Sequence, residues 1–216
     1  MTKLIIIDAN LGNIGSVTSA IERLGVDYEL AKNPNEVKDL KNTTHLILPG
    51  VGTFKKGMKS IEESGWCDWI KENANSINLL GICLGMQLMA NYGYEGIEKN
   101  DEQPTKGLGL IEGSVKKIER KQLYLRIPHV GWNNVKWKKR EEKIAEDIKE
   151  NSDFYFVHSY EFKAEKTEDV IATTDYEGDI VAIVGKKNIV GVQFHPEKSQ
   201  KIGYQILKNF LGNQNA

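Results

Sequence analysis

The sequence has little cysteine, no excess of either charge and no long apolar run, and each shortage excludes something. Two cysteines, Cys67 and Cys83, are all that 216 residues contain. That is too few for a disulfide framework, and with no secretion signal a reduced, cytoplasmic protein is expected. Lysine plus arginine number 29 against 30 acidic residues, for a formal net charge of -1, so the concentrated basic surface of a nucleic-acid binder is missing. No apolar stretch approaches the roughly 20 residues that span a bilayer, and the one after the N-terminal "MTK" is too short for a signal segment. Internal repeats, linkers and low-complexity tracts are also absent. A chain of this length with 40% hydrophobic residues has enough material for one large domain, taken as residues 1–216.

What is present changes character half-way along. The first half alternates. "KLIIID" (3–8), "DYELA" (27–31), "HLILP" (45–49) and "INLLGI" (77–82) read as strands from their apolar and β-branched runs. Between them, Ile14, Val17, Ile21 and Leu24 recur at helical spacing and end at Gly25. Pro34 opens a short helical stretch, 54–75 reads as one or two helices broken near Gly65, and 84–92 as a helix after the fourth strand. Such alternation implies parallel strands joined by right-handed crossovers. The second half is a series of short β-type segments: "GSVKKIE", "NNVKW", "FYFVHSYEF", "DVIATTDY", "DIVAIVG" and "NIVGVQF". Their close spacing favours antiparallel hairpins. A helix over 199–211 closes the chain, and the charged run 136–150 reads as a solvated helix or loop. The expected fold class is α/β: a central, mostly parallel sheet flanked by helices in three layers, with an additional antiparallel β segment in the second half.

The chemistry centres on "GICLGMQ" (81–87). Strand, Gly-x-Cys-x-Gly, then helix is the context of a nucleophile elbow, with Cys83 on a strained turn and glycines that let neighbouring backbone approach. A thiol at the start of a helix meets unpaired amides that favour thiolate and can hold an oxyanion. Locally, a small buried residue at a tight turn fits equally well. Cys67, in "GWCDWI", has no such context and reads as an inert core thiol. A thiolate attacking an amide needs a base and a group to orient it. Of four histidines, His195 in "FHPE" suits best: it follows a strand, and Glu197 can reach round Pro196 to one ring nitrogen. His45 and His129 read as structural, and His158 as either a core histidine or a neighbour of the substrate. "PGVG" (49–52), at the end of the third strand, can expose further amides where ligands gather in parallel sheets, although Pro-Gly is also a common turn.

Together, "PGVG", "GICLGMQ" and "FHPE", in this order and spacing, resemble the class I (triad) glutamine amidotransferases, and the resemblance runs through essentially the whole chain. "PHVGWN" (128–133), "FYFVHSY" (154–160) and "HPEKSQKIG" (195–203) make it most similar to the branch whose glutaminase subunits serve a (βα)8-barrel cyclase in histidine biosynthesis. The resemblance implies that Cys83, His195 and Glu197 are the triad, with an oxyanion hole around Val51, Gly52 and Leu84. It further implies that Gly52, Gln87 and the backbone of Ser159 and Tyr160 contact L-glutamine. Asn13, Trp132 and Lys198 fall in segments the family uses at the partner interface, in a heterodimer that passes ammonia to the cyclase; for Trp132, ordinary core packing is the alternative. No metal site and no cofactor are expected. "DANLGNIGS" departs from the family's first loop at Ala9, Asn10 and Gly15, and Glu161 is an unusual charge after "HSY". These departures leave open a paralogue that supplies ammonia for nucleotide-sugar or surface-polysaccharide synthesis. A catalytically idle module on the same fold would have no reason to carry Cys83, His195, Glu197 and Gln87 together.

Overall fold

The computed structural model describes residues 3–97, 103–120 and 126–212. In the first half, strand β1 (Leu4–Ile7) is buried at all four positions. Helix α1 (Ile14–Arg23) buries Val17, Ala20 and Ile21 and is stopped by Gly25 in the left-handed conformation. Strand β2 (Tyr28–Ala31) follows. The stretch opened by Pro34 forms only two 3-10 turns, Pro34–Glu36 and Leu40–Asn42. Then come β3 (His45–Gly50), α2 (Phe54–Glu63), α3 (Trp66–Asn73) and β4 (Asn78–Cys83). The break between the helices is Gly65, at φ 81°.

The helix expected over 84–92 is only one turn and a half long: α4 is Leu84–Leu88. Its continuation is taken over by tertiary bonds. The carbonyls of Leu88, Met89 and Ala90 accept from the amides of Leu108, Leu110 and Gly109, so the chain leaves the helix to pair with the next segment.

The second half supplies β5 (Tyr92–Gly93), β6 (Thr105–Lys106), β7 (Gly113–Lys117), β8 (His129–Asn134), β9 (Lys136–Trp137) and β10 (Asp153–His158). After these come β11 (Tyr160–Ala164), β12 (Val170–Asp175), β13 (Asp179–Lys186), β14 (Ile189–Val192) and α5 (Gln200–Leu211). The main sheet has the order β2-β1-β3-β4-β14-β13-β12-β9. Its first five strands are parallel and the rest antiparallel. A small sheet, β11-β7-β5-β6, and a ribbon, β8 with β10, stand beside it.

Both faces of the parallel part are covered, as its continuous apolar runs require. Ile5 and Ile7 pack with Phe54, Met58 and Ile61 of α2 on one side. Leu4 and Ile6 pack with Val17 and Ile21 of α1 and with Ile206 and Leu207 of α5 on the other. This is the expected three-layer α/β architecture, with three differences in the second half. "FYFVHSYEF" is not one strand: it divides at Ser159, sending β10 to the ribbon and β11 to the small sheet. The charged run 136–150, expected as a solvated helix or loop, is a strand and turns instead of a helix, and it is partly buried: Ile144, Ala145 and Ile148 are in the core and Asn209 of α5 ties the carbonyls of Ile144 and Glu146. Finally, β14 is antiparallel to β13 but parallel to β4, with Val192 opposite Ile82. That one parallel pairing brings the end of the chain's last strand to Cys83.

Candidate active site

Cys83 ends β4 with φ 53° and ψ −107°, a conformation that costs a residue bearing a Cβ of order 1–3 kcal/mol. Its flanking glycines are there for close approach. A Cβ on Gly85 would stand 1.8 Å from the carbonyl oxygen of Leu48, and one on Gly81 would stand 2.6 Å from the Gly85 and Met86 backbone. The elbow is therefore packed directly against β3 and cannot relax. The amide of Leu84 opens α4, where no carbonyl of the helix itself can accept from it. Around the buried sulfur lie the Val157 carbonyl at 3.9 Å and the side-chain amide of Gln193 at 3.6 Å.

His195 sits just beyond β14. Its backbone amide donates to Tyr155 of β10 at 2.9 Å, its carbonyl accepts from the Ser199 hydroxyl at 2.7 Å, and the 3-10 turn Pro196–Lys198 folds the next residues back. This places Glu197 Oε1 2.7 Å from His195 Nδ1, with both side chains shut off from solvent. Burial pushes the His195 pKa down, but the Cys83 side chain and the Glu197 carboxylate outweigh it and hold the ring up at about 10. The other ring nitrogen, Nε2, is buried with no hydrogen bond of full geometry, and the Cys83 side chain is the neighbour that raises the ring's pKa from that side. The expected pairing of His195 with Glu197 is present, and Cys83 is the neighbour of that pair.

The side chain of Asn13, a residue expected at a partner interface, also reaches this pair: Nδ2 donates to Glu197 Oε1. The residue stands at the N-cap of α1 with φ 60° and makes no capping bond, so the side chain that would ordinarily cap the helix is spent on the glutamate.

The "PGVG" turn lies beside the elbow, where Gly50 is the register partner of Cys83, and its first amide beyond β3 is engaged. The Val51 amide donates to the Leu11 carbonyl at 2.8 Å. Gly52 has φ 111° and is exposed. Gln87 is buried, and its Nε2 donates at 3.0 Å both to the Tyr160 carbonyl and to Gln193 Oε1. The Ser159 carbonyl accepts from the Ile118 amide. Of the groups expected at the substrate, the Ser159 and Tyr160 carbonyls and the Gln87 amide hydrogens are engaged within the protein. Among the described residues, no group of three or more His, Cys, Asp or Glu is placed to hold a metal ion.

The family model for class-I glutamine amidotransferases matches residues 5–213. The chain belongs to that family. The imidazole glycerol phosphate synthase subunit HisH 1 of Prochlorococcus marinus is 46% identical, over 96% of each chain. The HisH subunit of Pelagibacter ubique is 41% identical, over 95% of this chain and 97% of that protein. Among solved structures, a glutamine amidotransferase superposes with a TM-score of 0.70 at 20% identity, covering 96% of each chain. The glutaminase domain of Trypanosoma brucei CTPS, with bound acivicin, gives 0.65 at 16% identity, covering all of this chain and 96% of that one. At these identities the two structures speak for the fold alone.

Two further features of this amidotransferase escaped sequence reasoning. One is Gln193, whose only signal in the sequence is its place two residues before the histidine of "FHPE". The other is a chain of neutral histidines. His158 Nδ1 faces the Tyr160 carbonyl at 2.8 Å, so it carries the hydrogen and leaves Nε2 to accept from His129 Nδ1 at 3.0 Å. His129 Nε2 then accepts from Asn133 at 3.3 Å. Burial, then mutual repulsion, lowers the His129 pKa to about 3. Burial lowers His158 to about 4 against the Tyr160 bond, with His195 adding repulsion. His129 is structural, as expected, stacked on Phe156 and Tyr176. On the opposite face of β8, Trp132 and Val130 are half exposed, which removes core packing as the account of Trp132. Lys198 is exposed too, and Glu161 is buried with Lys163 at 2.8 Å. Among the described residues no helix is long and apolar enough to cross a membrane.

Proposed function

We infer that this chain is the glutaminase subunit of an imidazole glycerol phosphate synthase, hydrolysing glutamine and handing ammonia to a cyclase partner in histidine biosynthesis. The observation that carries the chemistry is the strained Cys83 beside a buried His195–Glu197 pair. The pathway follows from the end-to-end likeness to HisH subunits. In this reading the Cys83 thiolate attacks the side-chain amide carbon of glutamine. The oxyanion is met by the Leu84 amide and by the 51–52 turn. His195 gives a proton to the departing nitrogen, and ammonia leaves a glutamyl thioester. Water, deprotonated by His195, then adds to the thioester, and glutamate leaves as the thiolate reforms. Glu197 keeps the ring in register throughout, and Gln87, Ser159 and Tyr160 line the glutamine site.

The Leu11–Val51 hydrogen bond bears on control. For the turn to contribute an oxyanion donor from Val51, that bond must open, which would keep glutaminase activity low until a partner docks. The docking face is taken as that of Trp132, Lys198 and the Asn13 loop, with Trp132 as aromatic anchor, and the partner as a (βα)8-barrel cyclase. A cytoplasmic location goes with this, and both cysteines are free.

The deciding experiment combines Cys83→Ala with the cyclase. The variant should lose glutamine-dependent synthesis and keep synthesis from added ammonium. Retained glutamine hydrolysis would remove Cys83 as nucleophile. The wild-type glutaminase rate should rise with the histidine-pathway cyclase and its ribonucleotide ligand; no rise would assign the ammonia to another synthase.

A further inference from the structure

We propose that Gln193 is a further catalytic residue, whose side-chain amide donates a hydrogen bond to the Cys83 sulfur and holds it as the thiolate. The inference rests on the reading of Cys83 as nucleophile. Its position follows from register. The parallel pairing of β14 with β4 ends with Val192 opposite Ile82, which puts the next residue of each strand, Gln193 and Cys83, side by side. The Gln193 backbone is fixed there by the hydrogen bond its N–H donates to the Ala182 carbonyl at 2.9 Å.

The direction of the side chain follows from its partners. An amide oxygen and nitrogen look alike, so orientation must come from the network. The Tyr160 carbonyl can only accept, so the end of Gln87 that meets it at 3.0 Å is the NH2 group. That same NH2 lies 3.0 Å from Gln193, so the end of Gln193 it faces must be the oxygen. The remaining end, Nε2, lies 3.6 Å from Cys83 Sγ and is necessarily a donor. Gln193 is fully buried, so water does not compete for this bond.

A buried thiolate is costly without donors. Here His195 supplies the opposite charge but its Nε2 makes no hydrogen bond of full geometry. Among the described residues the Gln193 amide is hydrogen-bonded to the sulfur as a donor, while the Val157 carbonyl can only accept from it. An acceptor stabilises the thiol, a donor the thiolate. The two sit on the same sulfur, and Gln193 tips the balance towards the reactive form.

The test is the pH dependence of Cys83 alkylation by iodoacetamide, in a Cys67→Ala background so that one thiol reports. In Gln193→Leu the half-point should rise by about one pH unit, with alkylation about tenfold slower at pH values below both half-points. The glutaminase kcat should fall about tenfold or more, with KM for glutamine within about twofold. Gln193→Glu keeps the size and the bond from Gln87 but replaces the donor by a carboxylate, and should shift the half-point further. It decides the question if the leucine variant does not fold. An alkylation profile that superimposes on wild type in either variant overturns the proposal. Failure of the nucleophile assignment is distinct: it would appear as glutaminase activity surviving Cys83→Ala.

Discussion

Two buried histidine centres lie a few residues apart in space and behave oppositely. His195 is 1% exposed, His129 2% and His158 6%, so burial acts on all three alike, disfavouring the charged ring. Yet His195 is held up at about 10 while His129 and His158 are pushed down to about 3 and 4. The difference is the neighbours. His195 faces a carboxylate on one nitrogen and a thiol on the other side; His129 and His158 face each other and a backbone carbonyl. The first centre stores a proton next to a nucleophile. The second is a rigid, neutral strut connecting β8 to the Tyr160 carbonyl, on which Gln87 also rests. Identical side chains serve chemistry in one place and architecture in the other.

The contrast breaks most severely at Cys83. Cys83→Ala should lower glutamine turnover by about 10⁴-fold or more, and the His195 ring should titrate below about 10, having lost one of the groups that raise it; NMR titration of the ring protons checks this. Glu197→Gln comes next, with kcat reduced about 10³-fold at little change in KM, since the glutamine no longer favours the imidazolium. His129→Leu attacks the strut instead. It leaves His158 Nε2 without its donor and should cost about 1–3 kcal/mol of stability, read from urea unfolding.

The pH dependence of stability should separate the two centres. His129 and His158 have folded pKa values below the unfolded ~6.5, so the unfolded chain takes up protons first. Their stabilisation is lost as pH falls from about 6.5 towards 3, at up to about 1.4 kcal/mol per pH unit per proton. His195 runs the other way: its contribution is full below about 6.5 and disappears as pH rises through about 10. Urea midpoints across this range should fall at both ends, and His129→Leu should flatten only the acid side. The smallest effect is at Trp132, on the outer face of the strand that carries His129. Trp132→Ala should weaken cyclase binding about tenfold and leave basal glutaminase activity unchanged, as measured by titration calorimetry and a coupled glutamate assay.

Much of the first half was legible because its signals are local. Ile14, Val17 and Ile21 recur at helical spacing, and Gly25 and Gly65 stop helices where left-handed backbone is needed. The elbow was legible because Gly81 and Gly85 mark close backbone contacts that a Cβ would prevent. The length of α4 was not, since the carbonyls that end it are claimed by residues 108–110. Nor was the split at Ser159, because β10 and β11 share one apolar pattern and differ only in which sheet receives them. Asn13 shows the same limit: its side chain leaves a local capping role for a glutamate far along the chain.

By itself, then, the sequence determined the alternation of elements, the strained turn at Cys83, and the reach of Glu197 round Pro196 to His195, all set within a few residues. Tertiary structure decided that β14 runs parallel to β4 and in which register. That pairing, across 110 residues between Gln193 and Cys83, sets which donor meets the sulfur and which charge the neighbouring ring carries. A hydrogen bond or a pKa depends on what lies within a few ångströms, and only the packed sheet fixes that distance.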